Sequence, residues 1–108
     1  MRTQAILFSD RHQLALADAT VPDPGSGQVL VETAFSCISP GTELRCLAGA
    51  QPDSLPFPFI PGYSLAGNVV ARGANVELAL STPVFATGTI ESTPPRMWGG
   101  HVLSLIHI

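Results

Sequence analysis

The stretch from Gln28 to Gly67 constrains the fold of this chain more than any other. It opens with apolar residues on alternate positions, a pattern typical of a β-strand, which predicts a strand from Gln28 to Ile38 with one face made of Val29, Val31, Phe35 and Cys37. Farther on, prolines at positions 52, 56, 58 and 61 exclude a regular helix and a central strand. The sequence therefore predicts an ordered loop from Gln51 to Gly62, held by Leu55, Phe57, Phe59 and Ile60.

A short helix is predicted between the strand and the proline-rich loop. Ser39 is a suitable N-cap, and Pro40 is tolerated at the first helical position because the N–H group it lacks would have no partner there. Glu43 favours the helix start and Gly49 is a suitable C-terminal stop. The apolar face is predicted, from its i, i+3, i+4 spacing, to consist of Leu44, Leu47 and Ala48.

The remainder of the chain reads as short strands separated by turns. Thr3–Ser9 and Gln13–Ala17 predict an opening hairpin, and Leu65–Ala71 and Pro83–Ala86 predict two further strands. Gly67 marks a bulge or a close approach of another backbone. Frequent turns and one small helix predict a mainly-β barrel or sandwich.

Composition excludes several classes of function. Charged residues make up 12% of the chain and the mean hydropathy is +0.32, so part of the surface is expected to face a partner. Five arginines are scattered and the net charge is −3, which argues against nucleic acid. No apolar run has membrane-spanning length and no signal peptide opens the chain, so we expect a cytoplasmic protein. Cys37 and Cys46 are expected to be small buried residues, and without a C-x-x-C motif a structural zinc knot is excluded.

Taken in order, these segments resemble the N-terminal, GroES-like domain of the medium-chain dehydrogenase/reductase superfamily, the zinc alcohol dehydrogenases and their zinc-free relatives. The resemblance covers nearly everything up to Val102 and rests on the opening hairpin, the Pro22–Val31 entry, the Gly41-Thr42-Glu43-Leu44 helix start, the Pro61-Gly62 return with Ala66–Val70, and Val84-Phe85. It implies a partly open β-barrel with one short helix, here incomplete.

The resemblance also implies a branch without zinc. In zinc-dependent members the helix start reads G-I-C-G-T-D and the return reads G-H-E, and the Cys and His bind catalytic zinc. Here Ser39 or Pro40 falls at the thiolate position and Tyr63 at the imidazole position, and none of these is a competent zinc ligand. Cys37 would need a register slip to substitute. The pattern is similar to the group that contains bacteriochlorophyllide-type dehydrogenases.

Without a metal, the substrate oxygen must be polarised by hydrogen-bond donors or protonated by a hydroxyl relay. Thr42, which matches the hydroxyl position of the family motif, is the candidate relay, and Tyr63 is the candidate donor. The residues expected to contact the substrate are Ser39, Pro40, Ser64 and Trp98.

Each of these residues also has a purely structural interpretation. Thr42 would only bond the first helical turn, Ser39 would only cap the helix, and Tyr63 would only fill the space of a zinc ion. Trp98 would be core packing or a pocket wall, and His101 an ordinary loop histidine. Glu43 would be a favourable charge near a helix N-terminus rather than a catalytic acid.

The chain is expected to be part of a longer enzyme. Residues 1–102 are assigned to a truncated GroES-like domain, and residues 103–108 resemble the in-frame translation of a sequencing adapter, as in a metagenomic fragment; the alternative is a genuine apolar terminal strand. The resemblance implies a following Rossmann domain that binds NAD or NADP, and the sequence contains no G-x-G-x-x-G. The fragment is expected to be inactive and to bind no cofactor. The parent enzyme would act on a small alcohol or carbonyl compound. The sequence leaves open whether it forms a homo-oligomer.

Two other functions remain open from the sequence. The first is a zinc-dependent alcohol dehydrogenase-like enzyme, with a metal held by Cys37 or by ligands beyond this chain. The second is a non-catalytic GroES-like binding or scaffold module, complete in itself.

Overall fold

Strands make up most of the regular structure in this computed structural model, which describes residues 1–102 and the backbone of residues 104–107. The elements in chain order are β1 (Arg2–Asp10), β2 (Gln13–Thr20), β3 (Val29–Ser36), α1 (Pro40–Leu47), β4 (Leu65–Arg72), β5 (Pro83–Ala86) and β6 (Ser104–His107). This confirms the mainly-β, GroES-like architecture with a short helix. Within the described residues, no helix has the length and apolar character needed to cross a membrane.

The opening hairpin forms as predicted. Strands β1 and β2 pair antiparallel with Ala5 opposite Ala17 and Phe8 opposite Leu14. The chain reverses at His12, whose φ of 59° places it in the left-handed region typical of tight turns. The hairpin then meets the rest of the fold through Phe8, whose backbone exchanges hydrogen bonds with Phe59 of the proline-rich loop.

A second antiparallel sheet has the strand order β5-β4-β3-β6. Strand β3 lies between β4 and β6, so both of its edges are paired. Gly67 on β4 is a site of close approach, since a Cβ atom there would lie 2.1 Å from the Glu32 carbonyl oxygen. The prediction of a bulge or close approach at Gly67 is confirmed, since the β3–β4 pairing also shifts register beside Gly67, between Thr33 and Phe35.

The outer half of β3 differs from the prediction. Its pairing with β4 shifts register between Thr33 and Phe35, and such a shift moves the following side chains to the other face of a strand. Val29 and Val31 are buried as predicted, but Phe35 is 77% exposed and Cys37 is also exposed. The expectation that Phe35 and Cys37 continue the buried face was therefore wrong.

The core consists of two larger clusters and one small cluster of buried side chains. The largest cluster packs strand residues that include Val31, Val69 and Val102. The second cluster lies under α1 and consists of Phe8, Cys46, Phe59 and Met97. Phe59 and Ile60 hold the proline-rich loop as predicted, whereas Leu55 is 41% exposed.

Helix α1 has the predicted start and stop but a different buried face. Ser39 occupies the N-cap position, Pro40 begins the helix, and Gly49 follows it with a φ of 71°. Leu44 is 63% exposed, and the buried helix residues are Glu43 and Cys46. The prediction of an apolar face with Leu44 was wrong, because the carboxylate of Glu43 has buried polar partners that the sequence alone did not identify.

The end of the chain is partly described. Backbone residues 104–107 form β6, with Val29 opposite His107 and Leu30 opposite Ile106. Leu103 and Ile108 lie outside the described residues. A strand in this place does not test the origin of the sequence, so the assignment of residues 103–108 to an adapter stays a prediction.

Candidate active site

The N-terminus of α1 meets the loop that precedes β4, and three of the predicted site residues touch there. The Tyr63 hydroxyl donates a hydrogen bond to Ser39 Oγ at 2.6 Å. The Tyr63 ring lies edge-on to Trp98, with ring centroids 5.3 Å apart and an interplanar angle of 74°. The Tyr63 side chain is thus held at its hydroxyl by Ser39 and at its ring by Trp98.

Ser39 does not cap the helix through its side chain. Its backbone at φ −100° and ψ 96° is that of an N-cap residue, but its side chain makes no capping hydrogen bond. Its hydroxyl instead accepts from Tyr63, and its N–H group donates to Glu43 Oε2 at 2.6 Å. Glu43, four residues after the N-cap, therefore accepts from the N-cap N–H in the way that the glutamate of a capping box does from one position earlier.

The other oxygen of Glu43 makes a buried hydrogen bond with His101 that sequence reasoning missed. Glu43 Oε1 lies 2.5 Å from His101 Nε2, and the side chains of the two residues are 8% and 6% exposed. His101 Nδ1 lies 2.8 Å from Ser36 Oγ at the end of β3. Glu43 is therefore more than a charge at a helix start, and His101 is not an ordinary loop histidine. One sequence feature could have indicated that Glu43 is buried: it lies three residues before Cys46, so the two side chains share a face of the helix.

Two glycines allow His101 to reach this position. The Gly100 N–H group donates to the Gly62 carbonyl oxygen at 2.6 Å, and the His101 N–H group donates to the Pro61 carbonyl at 3.1 Å. A Cβ atom on Gly62 would lie 2.6 Å from His101 Cδ2, and the φ of Gly62 is +94°. The Pro61-Gly62 return is therefore shaped to accept the imidazole ring.

An open cleft of about 470 Å³ lies beside this cluster, between the opening hairpin and α1. Its polar end is formed by Ser36, Glu43 and His101. The remaining walls are mostly apolar, and they include Pro40 at the start of α1. A cleft of this size and composition matches the usual dimensions of small-molecule sites.

The buried thiol of Cys46 lies close to the hydrogen bond between Glu43 and His101. Burial raises the pKa of Cys46, and the nearby Glu43 carboxylate raises it further, while Arg45 acts in the opposite direction. A thiol in this setting stays protonated and behaves as a packing group. The expectation that Cys46 is a small buried residue is confirmed, and the same expectation for Cys37 was wrong.

The remaining predicted residues are more dispersed. Thr42 is half-buried on α1. Ser64 is exposed, and its carbonyl accepts from the Cys37 N–H group at 2.8 Å. The structure thus brings Ser39, Tyr63 and Trp98 together, and places Pro40 on the cleft. The chemical roles assigned to these residues stay predictions.

The donor set does not fit a zinc ion. Serine and neutral tyrosine hydroxyls are poor zinc ligands, and Ser39 and Tyr63 are already hydrogen-bonded to each other. Across the described part of the chain, no group of three or more His, Cys, Asp or Glu side chains is placed to hold a metal.

Comparison with curated proteins finds bacteriochlorophyllide dehydrogenases among the relatives of this chain. The chain is 33% identical over 91 residues to 2-desacetyl-2-hydroxyethyl bacteriochlorophyllide A dehydrogenase of Cereibacter sphaeroides. The match covers 82% of this chain and 29% of that protein. The chain thus spans under a third of the length of this curated relative. No protein-family model matches the chain.

Solved structures of the same architecture agree with this result. An alcohol dehydrogenase superfamily protein from Novosphingobium aromaticivorans is 26% identical with a TM-score of 0.76, and the match covers 96% of this chain and 31% of that one. A cobalt- and zinc-bound thermostable alcohol dehydrogenase from Pyrobaculum aerophilum shares the fold at 22% identity and a TM-score of 0.74, over 99% of this chain and 39% of that one. The chain therefore belongs to the medium-chain dehydrogenase/reductase superfamily, the superfamily of the alcohol dehydrogenases, and represents its N-terminal GroES-like region.

Proposed function

We propose that this chain is the substrate-side N-terminal domain of a zinc-independent, NAD(P)-dependent oxidoreductase that interconverts an alcohol and a carbonyl compound. The superfamily and the dehydrogenase name of the curated relative support the reaction class. The chain corresponds to 29% of that relative. We therefore assign the cofactor-binding Rossmann domain to a part of the full-length protein outside this chain.

The contact between Tyr63 and Ser39 carries the zinc-independent part of the proposal. In zinc-binding members the position of Tyr63 holds an imidazole, and the position of Ser39 or of Pro40 holds a thiolate, and both surround a metal. Here the oxygens of Tyr63 and Ser39 lie 2.6 Å apart in a hydrogen bond. A metal ion between them would break that hydrogen bond, and it would be held by two hydroxyl groups, which are weak zinc ligands.

The chain's own residues supply polarisation and a proton route. The Tyr63 ring is positioned by Trp98, and its hydroxyl is proposed to turn its proton from Ser39 Oγ to the substrate oxygen as negative charge develops there. Thr42 is the proposed hydroxyl relay, and Pro40, Ser64 and Trp98 are proposed to contact the substrate. The nicotinamide, when bound, exchanges a hydride with the substrate carbon.

Metal analysis of the full-length protein tests this function. We expect less than stoichiometric zinc after dialysis and unchanged NAD(P)-linked activity after treatment with a chelator. Tyr63→Phe should lower kcat by about 10²-fold, the usual contribution of a positioned proton donor. Cys37→Ser is the matched control, and it should leave both metal content and kcat unchanged. One tightly held zinc per subunit that is needed for turnover would show the proposal to be wrong.

The isolated chain gives a second test. We propose that it neither reduces carbonyl compounds nor binds NAD(P)H, because the dinucleotide site lies elsewhere in the full-length protein. Calorimetric titration of the 108-residue chain with NADH and NADPH should show no saturable heat. Saturable micromolar binding would contradict this part of the proposal.

A further inference from the structure

Ser36, Glu43 and His101 form a cluster that joins a buried carboxylate–imidazole hydrogen bond to the open cleft. His101 Nε2 lies 2.5 Å from Glu43 Oε1, and His101 Nδ1 lies 2.8 Å from Ser36 Oγ. Glu43 and His101 are 6% and 9% exposed, whereas Ser36 is exposed. All three residues line the cleft. The cluster therefore runs from a shielded carboxylate to a hydroxyl that a ligand can reach.

The hydrogen-bonding partners define where the protons lie in this cluster. With Glu43 ionised and the imidazole neutral, the imidazole proton lies on Nε2 and faces Glu43, because an ionised carboxylate only accepts hydrogen bonds. Nδ1 then presents a lone pair, and Ser36 Oγ lies within hydrogen-bond distance of it. The serine hydroxyl consequently donates to a base whose tautomer and orientation are fixed by a carboxylate, an arrangement suited to proton removal.

The surroundings keep this pair in place. Glu43 Oε2 is occupied by the Ser39 N–H group, whose side chain connects to Tyr63. The titratable groups that face the pair are Cys46 on α1 and, through Ser39, Tyr63 of the preceding loop. From β1, the Ile6 N–H group holds the His101 carbonyl at 2.9 Å. Among the residues that the structure describes, no arginine forms an ion pair with the Glu43 carboxylate.

The walls of the cleft indicate the class of ligand. Apart from the cluster, the lining is apolar and includes Phe8, Leu14, Ile38 and Leu44. Leu14, Ile38 and Leu44 are between 58% and 68% exposed, so the cleft is open along its length. A ligand that suits this site has an apolar body and a single hydrogen-bonding oxygen at one end.

We propose that Ser36, His101 and Glu43 are the proton-transfer site of this protein, and that the cleft takes an apolar secondary alcohol or ketone with its oxygen at Ser36 Oγ. This rests on the oxidoreductase function proposed above. It places the substrate oxygen at Ser36 instead of Tyr63, and the proton route on Ser36 and His101 instead of Thr42, because neither Tyr63 nor Thr42 is among the residues that line this cleft.

In the oxidative direction, two protons and one hydride move. The substrate O–H proton passes to Ser36 Oγ while the Ser36 proton passes to His101 Nδ1, which leaves a histidinium beside the Glu43 carboxylate. The C–H bond breaks, its electron pair leaves as hydride to the oxidised nicotinamide, and the C=O bond forms. Ketone reduction is the reverse, with the histidinium as the proton source.

Steady-state kinetics of the full-length enzyme between pH 5 and 9 test the route. With an apolar secondary alcohol such as 1-phenylethanol, kcat should fall at acid pH, where a doubly protonated His101 no longer accepts a proton. His101→Asn should lower kcat by about 10²–10⁴-fold and abolish this acid limb. Thr42→Val should retain the acid limb. An acid limb that survives in His101→Asn and disappears in Thr42→Val overturns the proposal.

Variants of Ser36 test the proposal even if His101→Asn does not fold. Ser36 is exposed, so Ser36→Ala should fold normally, lower kcat by about 10²-fold and leave KM within about threefold of its original value. Ser36→Thr, which keeps the hydroxyl, should restore most of kcat. Ser9→Ala, an exposed serine on β1, is the matched control. A kcat for Ser36→Ala within twofold of that control overturns the proposal.

Nuclear magnetic resonance separates a failure of this site from a failure of the oxidoreductase function. In the ¹⁵N-labelled full-length protein, the neutral His101 ring should carry its proton on Nε2, and acetophenone should shift the resonances of Ser36 and Leu14. A proton on Nδ1, or shifts confined to other regions, overturns the site. If the full-length protein shows no NAD(P)-linked activity while these signals are as expected, the proposed reaction is wrong and the proton-transfer cluster stands.

Discussion

At the scale of single residues, the site depends on backbone clearance as much as on reactive groups. His101 sits against Gly62, where a Cβ atom would lie 2.6 Å from the imidazole Cδ2. The polar network from Tyr63 through Ser39 and Glu43 to His101 joins three segments that are far apart in the sequence. Small displacements of any one of them would separate the hydrogen-bonded atoms.

Replacement of Gly62 by alanine tests this clearance. Gly27→Ala is the control, because Gly27 has a φ of +75° but no atom within 4 Å of the place where a Cβ would lie. We expect Gly27→Ala to cost about 1–3 kcal/mol from the positive φ alone. Gly62→Ala should cost about 1–3 kcal/mol more, since the new methyl group also displaces His101. Urea denaturation of both variants measures the difference, and equal losses would contradict the close approach.

The two cysteines should differ in reactivity. Alkylation needs the thiolate, and a raised pKa lowers the thiolate fraction at any given pH. Burial raises the pKa of Cys46, whereas Cys37 is exposed. Iodoacetamide at pH 8 should therefore modify Cys37 within minutes and Cys46 only after unfolding, with the Cys46 rate increasing as the pH rises further. Mass spectrometry of tryptic peptides gives both rates, and equal labelling of the folded chain would be inconsistent with this environment.

At the scale of elements, the sequence was informative about where strands and the helix lie. Alternating apolar residues and turn formers indicated β1, β2, β4 and β5, and the Ser39-Pro40 pair with Gly49 bounded α1. These signals are local, because they depend on residues within a few positions of one another. They were sufficient for the architecture.

The side-chain orientation within those elements was less predictable. The register shift in β3 turned Phe35 and Cys37 outward, and it depends on pairing with β4, a strand much farther along the chain. The partner of Glu43 is 58 residues away, so the helix face that is buried could not be read from helical spacing alone. For the same reason the resemblance led to Ser39 and Tyr63 but not to His101.

Gly67 tests the pairing of β3 with β4. A Cβ atom there would lie 2.1 Å from the Glu32 carbonyl oxygen, a clash with backbone that no rotamer change relieves. Gly67→Ala should lower the free energy of unfolding by about 3 kcal/mol, the upper range for overpacking. Gly41→Ala on α1 is the control, with open space around it and a gain of up to about 1 kcal/mol expected from helix propensity. A Gly67→Ala variant as stable as the original chain would contradict this register.

At the scale of the whole molecule, one face of the larger sheet carries a row of exposed apolar side chains. Phe35 lies opposite Ala66, and Ala66 lies opposite Phe85, so the three share a face. Phe35 and Phe85 are 77% and 86% exposed. Such a row is unusual for a free surface and agrees with the low charge content of the chain.

Replacing the two phenylalanines of this row with serine should reduce aggregation of the chain without changing its fold. The double variant Phe35→Ser, Phe85→Ser should bind at least about twofold less of the hydrophobic dye ANS and scatter less light at high concentration. Leu78→Ser with Leu80→Ser is the matched control, because these residues are exposed but lie outside the row. Equal dye binding by the two double variants would show that the row is not the principal apolar surface.

The glycine contacts around His101 also affect the interpretation of a deep mutational scan of this domain. Selection for turnover alone would rank Gly62 beside Glu43 and His101, although a glycine contributes no proton and no charge. A parallel selection for abundance in the cell would separate the two groups. Positions that tolerate no substitution in either selection would be those needed for packing. Positions that are intolerant only in the selection for turnover would be those needed for the reaction.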